Sequence, residues 1–421
     1  MEAPLSEALE KFVILETGDE RGEFAALLLA MLGAEVIKIE GRGGAESRRI
    51  GPFLSRAGRT QSLHFARYNL GKKSLRLDFE QPQVAEVRER LASLVDVIVD
   101  SGEASVIDRR LKLYRAMRSV NPGLIVCTLT PFGLTGPYRD LKMTDLTQLA
   151  MGGVMASCGY DPSPDGKYDT PPIAPAMWQA CHIAGAHAVL AILAALHFRE
   201  ITGTGDLIDL SIHETVSNCT EVAIPSYIYN RAVVQRQTGR HAAEHPTRPW
   251  LRRTADGRYV KAFMFWSRHE ARVIGEMLTE AGIEHDLHSE EYKQLCERSP
   301  SAAHSHLNEL VDRLAASMTS EELFHKAQAK GLLWASVRTP EENLADPHFV
   351  ARGTFQSIDS PAAGRPLNFP ASVATDGAKP LTRFKSGAPE LGEHTREVLL
   401  RLGLDSTKID RLIMDDTLAK V

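Results

Sequence analysis

The amino-acid sequence predicts an α/β fold in which a parallel sheet is covered by helices on both faces, with a second, smaller domain. Short β-branched runs alternate with helical patterns through the first third of the chain, as in parallel-sheet proteins. The character of the sequence changes from about Val216, and the segment Arg231–Arg253 is basic and turn-rich. At 421 residues, the chain is also long for one ordinary domain.

The first elements follow from hydrophobic periodicity. "KFVIL" (Lys11–Leu15) predicts a buried strand that ends in a polar turn. "FAALLLAML" (Phe24–Leu32) predicts a buried helix that Gly33 caps, and "EVIKIE" (Glu35–Glu40) alternates as the next strand. The pattern continues with strands at Lys73–Phe79, Asp96–Asp100 and Gly123–Thr130 and a helix at Gln83–Val95.

A long apolar helix is predicted at Ile183–Phe198, followed by "TGTG" and a strand that runs into a helix at Asp206–Glu214. The apolar run Ile183–Leu196 is interrupted by His187 and is shorter than the ~20 residues of a membrane span. The N-terminus lacks a basic segment followed by an apolar run. We therefore expect neither membrane association nor a secretory signal.

The second domain is predicted at residues 220–330. It begins with the basic segment Arg231–Arg253. Gly331–Thr339 is interpreted as a strand that returns to the first domain, which gives a large domain of residues 1–219 and 331–421. Within the second domain we expect a strand pair at Gly257–Phe265 and amphipathic helices at Glu270–Ile283 and Leu307–Met318.

Composition narrows the class of protein. Hydrophobic residues make up 43% and charged residues 24%, as in soluble globular proteins. A net charge of −5 gives no electrostatic case for nucleic acid. The cysteines have neither disulfide-framework nor metal-site spacing, so we expect reduced thiols in the cytoplasm and no metal. They are Cys127, Cys158, Cys181, Cys219 and Cys296.

Local motifs alone do not identify a function. No GxGxxG or Walker loop follows a strand, so nucleotide cofactors of those types are unsupported. Gly41–Ser47 is Gly-rich and could bind a phosphate, although a plain surface loop is favoured. His182 and His187 on an apolar helix are interpreted as core histidines. The basic segment Arg231–Arg253 is either a solvated face or a contact for an acidic substrate or partner.

Five motifs in register resemble the family III CoA-transferases, which include formyl-CoA transferase and carnitine CoA-transferase, and related acyl-CoA racemases. Each motif is weak alone, but together they cover nearly the whole chain. They are "LGAEVIKIE" (Leu32–Glu40), "NLGKKSLRLD" (Asn69–Asp78), "NPGLIVCTLTPFGLTGPY" (Asn121–Tyr138), "AALHFREITGTGDLIDLSIHE" (Ala194–Glu214) and "PELGEHTREVLLRLG" (Pro389–Gly403).

The resemblance implies a Rossmann-like large domain, a small domain between its two parts, and two ring-shaped chains interlocked as a dimer. It also implies a mechanism. An aspartate attacks an acyl-CoA to give a mixed anhydride, and the released CoA thiolate then forms an aspartyl-CoA thioester. The incoming acid reverses these steps and leaves as its CoA thioester. A carboxylate is needed because the enzyme must hold CoA rather than the acyl group.

Cys181 stands at the position of that aspartate, four residues before the helix glycine, which is Gly185 here. Its neighbours are not acids, and Asp169 lies too far upstream to fit without moving the helix. A thiolate would retain the acyl group and release CoA, so a buried packing cysteine is the favoured interpretation. No catalytic residue is therefore assigned.

The resemblance also implies a CoA cleft with altered chemistry. The loops Gly18–Glu23 and Asp100–Ser105 are acidic where the family is not, and carboxylates there would repel the CoA phosphates. Arg109 and Lys142 match basic positions of the family. The residues that align with CoA-lining positions are Asp19, Glu20, Arg21, Arg42, Leu77, Ser101, Gly102, Arg109 and Lys142.

Some members of the family are heteromers of two homologous subunits, of which one lacks the aspartate, and the opening of this chain resembles such a subunit. The resemblance thus implies a non-catalytic subunit that partners an aspartate-bearing homologue, and we expect the pair to act on succinyl-CoA and a dicarboxylic acid such as benzylsuccinate. Two alternatives remain: an active homodimeric transferase or racemase that uses Asp169 or Asp145, and an inactive homodimer that binds acyl-CoA.

Overall fold

The computed structural model describes residues 7–56, 58–220, 222–360, 363–372, 374–376, 379–380 and 382–414. These residues form two units. The large unit comprises Met1–Ala156, Ile173–Ile224 and Asp346–Val421, and the second unit comprises Ser157–Pro172 and Pro225–Ala345.

The described residues contain fifteen strands and fifteen α-helices. The strands are β1 Val13–Gly18, β2 Glu35–Glu40, β3 Phe53–Arg56, β4 Arg59–Ser62, β5 Lys73–Arg76, β6 Val97–Ser101, β7 Ile125–Thr130, β8 Leu207–Ser211, β9 Leu251–Arg253, β10 Tyr259–Ala262, β11 Trp334–Ser336, β12 Phe355–Ser360, β13 Arg365–Pro370, β14 Thr375–Asp376 and β15 Lys379–Pro380. The helices are α1 Glu23–Met31, α2 Leu63–Tyr68, α3 Ala85–Leu94, α4 Ala104–Val120, α5 Asp145–Met151, α6 Gln179–Thr202, α7 Ile212–Asn218, α8 Ala223–Asn230, α9 Arg268–Glu280, α10 Glu290–Arg298, α11 Pro300–Ala316, α12 Ser320–Ala329, α13 Pro347–Ala351, α14 Thr395–Arg401 and α15 Ser406–Met414.

The large unit is built on a six-stranded parallel sheet with the order β5-β2-β1-β6-β7-β8. The predicted α/β fold is confirmed. The chain fills one half of the sheet outward from β1 and then crosses back to fill the other half from β6. In such sheets ligands bind where the order reverses, outside the carboxyl ends of the two central strands. The loops after β1 and β6 therefore mark the expected site.

Apolar runs form the central strands because both faces of the sheet are covered. Ile14 packs in a core cluster with helices α1 and α6, whereas its neighbour Leu15 packs on the opposite face with α3 and α4. Successive strand residues point to opposite faces, so a strand buried on both faces needs a continuous apolar sequence. Helix α14, near the end of the described chain, returns to this unit, where the backbone N–H of its N-cap residue His394 donates to the Ser74 carbonyl at 3.0 Å.

Helix α6 is 24 residues long, longer than the predicted Ile183–Phe198. Gly203 ends it in the left-handed conformation, with φ of 74°. At Gly185 the helix packs closely on α1, because a Cβ there would lie 2.9 Å from the Phe24 ring. Among the described residues, α6 alone is long and apolar enough to cross a membrane by length and composition, a test that buried helices of soluble proteins also pass. The predicted helix Ile183–Phe198 thus lies within α6, which extends beyond it at both ends.

The second unit has its own core, in which helices α9, α11 and α12 pack on the antiparallel sheet β11-β10-β9. Its boundaries differ from the predicted ones. Residues 331–345 stay in this unit because Trp334–Ser336 pairs with β10 and Trp334 is fully buried in its core. Residues 157–172 also belong to it, since the Arg236 guanidinium lies 3.8 Å from the Tyr168 ring and donates to the Thr170 carbonyl.

Candidate functional site

A cavity of about 150 Å³ lies in the large unit beside the loop that follows β1. It brings together that loop, the start of α5 and the start of α6, three segments that are far apart in the sequence. Two of the predicted CoA-lining residues, Glu20 and Arg21, reach it. Its lining residues are Glu20, Arg21, Met143, Thr144, Asp145, Gln148, Trp178, Ala180, Cys181 and Ile212.

Cys181, which the family resemblance predicts at the position of the aspartate, is the third residue of α6 and is 4% exposed. Burial raises the pKa of its thiol well above the ordinary value, and the nearby Asp145 carboxylate raises the pKa further. The thiol is therefore protonated at neutral pH, and a protonated thiol is a poor nucleophile. This agrees with a packing role.

Asp145 is the carboxylate that the fold brings to Cys181. Its Oδ1 accepts a hydrogen bond from the backbone N–H of Cys181 at 2.9 Å. The N-cap residue of α6, Trp178, has a left-handed backbone with φ of 54° and makes no side-chain capping bond. Asp145 thus caps α6 from another segment, where an anion is favoured by the helix dipole. Asp169, the other acid considered from the sequence, belongs to the second unit.

Most carboxylates of the acidic loop Gly18–Glu23 lie beside cationic side chains of the protein. Glu23 is fully buried, with its carboxylate 2.9 Å from the Lys38 ammonium. Burial alone would raise the pKa of Glu23, but Lys38 and Lys72 lower it to about 2. Arg21 lies 3.5 Å from Asp19 and 2.8 Å from Glu103. Glu20 remains at the cavity, and burial and Asp19 raise the pKa of its carboxyl.

The turn Asp100–Ser105 also exposes less negative charge to solvent than its sequence indicates. Asp100 is fully buried, and its carboxylate accepts hydrogen bonds from Arg110 at 2.8 Å and Tyr114 at 2.7 Å. The expectation that these carboxylates face the CoA phosphates is wrong for Asp100 and Glu23. Both charges are inside the protein, each with a cationic partner, so they repel an approaching anion only weakly.

The contact between the two central loops requires glycine at position 18. Gly18 has φ of 99°, and a Cβ there would lie 2.0 Å from the Ser101 carbonyl oxygen. The Ser101 hydroxyl donates to the Asp19 carbonyl at 2.9 Å and accepts from the Asp19 N–H at 3.1 Å. Asp19, Ser101 and the adjacent Gly102 are therefore neighbours at the point where the strand order reverses.

A second cavity, of about 200 Å³, lies at the carboxyl ends of β1, β2 and β5 and holds Leu77. Glu46, Asp78 and Glu80 line it together with one cation, Arg110, so its wall carries an excess of negative charge. An anionic group would meet repulsion there.

The three remaining predicted positions are exposed. Arg109 lies 3.5 Å from Glu80, and the backbone carbonyl of Arg42 accepts from Arg76 at 3.0 Å. Lys142 is exposed in the segment just before α5. The CoA-binding role of all nine residues stays a prediction.

The Gly-rich loop Gly41–Ser47 encloses a carboxylate of the protein itself. The Ala45 N–H donates to Glu40 at 2.9 Å, and Arg48 binds both Glu40 oxygens at 2.7 Å. The donors available for a phosphate are thus partly used, which favours the plain-loop interpretation.

The sequence interpretation missed a buried charge network under the site. Lys38 binds Glu16 at 2.7 Å as well as Glu23, and Lys72 binds the other oxygen of Glu16 at 2.7 Å. All four side chains are at most 2% exposed. Charged residues inside the apolar strands "VILETG" and "EVIKIE" were the available signal, because an unpaired charge is rarely buried.

The two histidines interpreted as core residues, His182 and His187, both have hydrogen-bond partners, in agreement with that interpretation. His182 Nε2 lies 2.7 Å from the Tyr68 hydroxyl, and His187 Nδ1 lies 2.8 Å from the Ile183 carbonyl. Burial lowers the pKa of His182, and burial raises the pKa of Tyr68 to about 12. Both groups are therefore neutral near pH 7.

Comparison with known proteins places this arrangement in a family. The family model of CoA-transferase family III matches residues 13–395. The chain is 28% identical over 391 residues to the succinyl-CoA–L-malate CoA-transferase beta subunit of Chloroflexus aurantiacus, covering 92% of each chain. It is 27% identical over 414 residues to the succinyl-CoA:(R)-benzylsuccinate CoA-transferase subunit BbsE of Thauera aromatica, covering 97% of this chain and 98% of that one.

A solved structure has a similar fold. The crystal structure of a CaiB/BaiF family protein from Brucella suis superposes with a TM-score of 0.76 at 24% identity, over 94% of this chain and 99% of that one. The family match reaches all three segments of the large unit and covers the whole second unit. The chain therefore belongs to CoA-transferase family III.

Proposed function

We propose that this chain is the non-catalytic subunit of a heterodimeric CoA-transferase, which moves CoA between an acyl-CoA and a carboxylic acid. The observation that carries the proposal is Cys181, a buried and protonated thiol at the position of the family's aspartate nucleophile. The subunit would complete the active site of an aspartate-bearing homologue.

The chemistry of the reaction supports this role. CoA transfer needs an enzyme carboxylate, because the carboxylate carbon becomes the thioester carbon that holds CoA. A thiolate at position 181 would form a thioester with the acyl group and release CoA, which is acyl transfer. Burial keeps the Cys181 thiol protonated, so even that first attack is suppressed.

The relatives support a heteromer and a substrate class. The two relatives described above are each named as one subunit of an enzyme, and a further relative is an alpha subunit of the succinyl-CoA–L-malate enzyme. Their names combine succinyl-CoA with a dicarboxylate. We propose succinyl-CoA as the CoA donor here and a dicarboxylate such as benzylsuccinate as the acceptor.

The outer face of α6 supports an obligate partner. Leu190 is 68% exposed and Ile201 is 72% exposed, with Leu193 and Phe198 between them. These four apolar side chains lie on one helix with spacings of three to five residues, which forms an apolar stripe. A contiguous apolar surface of this kind marks a protein–protein contact. An interlocked dimer, as expected from the family resemblance, would cover it.

The basic segment Arg231–Arg253 offers few arginines for the substrate carboxylate. Within the second unit, Arg231 and Arg253 have no carboxylate partner among the described residues, although Arg231 lies 5.6 Å from the Tyr227 ring. We propose these two as the candidate grip on the free carboxylate of a dicarboxylic acid, for which the arginine fork is suited. The other four arginines of the segment bind groups of their own unit: Arg236, Arg240, Arg248 and Arg252.

A second candidate function is an active transferase that uses Asp145. It is favoured by the 2.9 Å contact between the Asp145 carboxylate and the backbone of Cys181, which puts an acid at the position of the nucleophile. Asp145 would have to release its capping bond to α6 before attacking a thioester. The same contact is fully explained by capping, so we rank this function second.

The test is transferase activity of the purified chain, alone and co-expressed with a homologue that has aspartate at the position of Cys181. We expect CoA transfer from succinyl-CoA to benzylsuccinate only in the complex. Transfer by the single chain that is lost in Asp145→Asn would contradict the proposal and support the second candidate. CoA binding without transfer in both preparations would support the inactive homodimer.

A further inference from the structure

The second unit contains a cavity of about 730 Å³ among helices α9, α10 and α11. This lies within the ~300–1,000 Å³ range of small-molecule sites. Its floor is apolar and buried, formed by Ala271, Leu287, Tyr292, Ala303 and Leu307, each at most 7% exposed. All the lining residues belong to the second unit, so the cavity does not depend on the CoA-transfer proposal.

Trp266 forms one wall of the cavity, and its backbone is strained. Its φ is 62°, which bulky side chains rarely adopt. The strain is imposed by the cap of α9, because the N–H groups of Phe265 and Ser267 both donate to the Glu270 carboxylate, at 3.0 and 2.9 Å. The indole lies 4.6 Å from the His304 ring, which also lines the cavity. Strain of this kind clusters at ligand sites.

The residues that line the cavity include three cations, Arg268, Arg272 and Lys293, and two carboxylates, Glu276 and Glu297. Arg268 faces Glu297 at 3.5 Å, Arg272 faces Glu276, and Lys293 faces Glu290 at 3.0 Å. The Arg248 guanidinium lies 5.5 Å from the Trp266 ring centroid.

Arg248 has no carboxylate partner among the described residues. It donates to the Ser301 carbonyl at 2.9 Å and to the Ser305 hydroxyl at 3.2 Å. One positive charge beside the indole wall is thus uncompensated.

We propose that this cavity binds a small apolar carboxylate. The apolar body of the ligand fills the floor and lies against Trp266, and its carboxylate binds the arginines at the mouth. Arg268 can turn from Glu297 to the ligand at little cost, because both side chains of that ion pair are exposed. A neutral ligand of the same shape would gain the apolar contacts alone.

Cys296 gives a direct readout, since its side chain lines the cavity and is partly buried. The probe is 4-phenylbutyrate, with 4-phenylbutyramide as its uncharged match, added to the full-length chain. Alkylation of Cys296 by iodoacetamide is followed by peptide mass spectrometry. Cys219 is exposed in the large unit and is the internal control.

We expect 4-phenylbutyrate to slow alkylation of Cys296 saturably while Cys219 is unaffected. The amide should bind roughly tenfold more weakly, because it lacks the charge-assisted contact. Arg268→Gln should weaken carboxylate binding about threefold or more. Arg298→Gln, on the same helix as Cys296 but outside the lining, should bind like wild type.

Three results would overturn the proposal. The first is absence of protection up to about 10 mM probe. The second is equal protection by the acid and the amide, which would show a cavity without selectivity for a carboxylate. The third is a Cys296 thiol that reacts only after unfolding, which would show that no ligand reaches the cavity. All substitutions are at exposed positions, so loss of folding does not obscure the result.

Discussion

Glu23 and Cys181 are two buried ionisable side chains of the large unit. Near pH 7 Glu23 is charged and Cys181 is neutral. Glu23 begins α1, Cys181 lies in the first turn of α6, and the two helices pack together at Gly185. Glu23 faces Lys38 at 2.9 Å, and its pKa is lowered to about 2 although burial alone would raise it. Burial raises the pKa of Cys181, and the nearest charge, Asp145, raises it further.

The difference shows that the partner, rather than burial, decides which buried group carries charge. Burial disfavours the ionised form of both an acid and a thiol. Two lysines reverse the effect at Glu23, whereas an acid reinforces it at Cys181. Position 181 is therefore suited to a neutral side chain.

Lys38→Met should give the largest effect, a loss of about 3–5 kcal/mol in the free energy of unfolding, because it leaves Glu16 and Glu23 with one fewer buried cation. Urea denaturation measures this loss. Lys11→Met is the matched control, since the Lys11–Glu200 ion pair is exposed and should contribute less than about 1 kcal/mol. Equal losses in the two variants would show that the network does not hold the charge of Glu23.

Cys181→Asp should destabilise the chain by roughly 1–3 kcal/mol, because it buries a carboxylate beside Asp145 without a cation. It should also fail to restore CoA transfer. Urea denaturation and mass spectrometry after incubation with succinyl-CoA check the two parts.

Cys181→Ser is the neutral control for that variant and should lose less stability. A trapped aspartyl-CoA adduct on Cys181→Asp would contradict the prediction. It would show that the surrounding site is still competent and that only the nucleophile is missing.

Arg231→Ala and Arg253→Ala, each co-expressed with the aspartate-bearing partner, should lower kcat/KM for the dicarboxylic acid by roughly tenfold, because a charge-assisted contact of about 1.5–3 kcal/mol is lost. Steady-state kinetics with both substrates checks this. Arg313→Ala on α11 is the control and should match wild type. If both variants also match wild type, the second unit does not bind the acid through these arginines.

The smallest effect concerns alkaline pH. A group whose folded pKa is raised contributes stability that is present below its unfolded pKa and is lost as the pH rises through the window between the two values. For Cys181 the loss in the free energy of unfolding begins near pH 9, and we expect it to reach about 1 kcal/mol at pH 9.5.

The Cys181→Ser variant should not show the part of the stability loss at alkaline pH that comes from Cys181. Urea denaturation from pH 7 to 9.5 measures the free energy of unfolding of both proteins. Cys127, whose pKa burial raises to about 12, contributes equally to both proteins and cancels in the comparison. Identical pH profiles for wild type and Cys181→Ser would contradict a buried, protonated thiol.

The sheet could be predicted from the sequence because its inner strands are buried on both faces. A run such as "EVIKIE" fits little else between two helical segments, and the structure has it as β2. The second-unit boundary was harder to predict. "GLLWASVRT" predicts a strand, but nothing local indicates that Trp334–Ser336 pairs with β10 instead of returning to the large sheet. Strand pairing is a long-range choice, which the tertiary core decides.

The sequence by itself determined the family and the absence of an acid at position 181, since both follow from residue identity and spacing. Only the tertiary structure decided that Asp145 caps the helix at Cys181 and that Asp100 and Glu23 turn inward to Arg110 and Lys38. Charge interactions depend on distance and burial in space, and these partners lie between 10 and 36 residues apart along the chain.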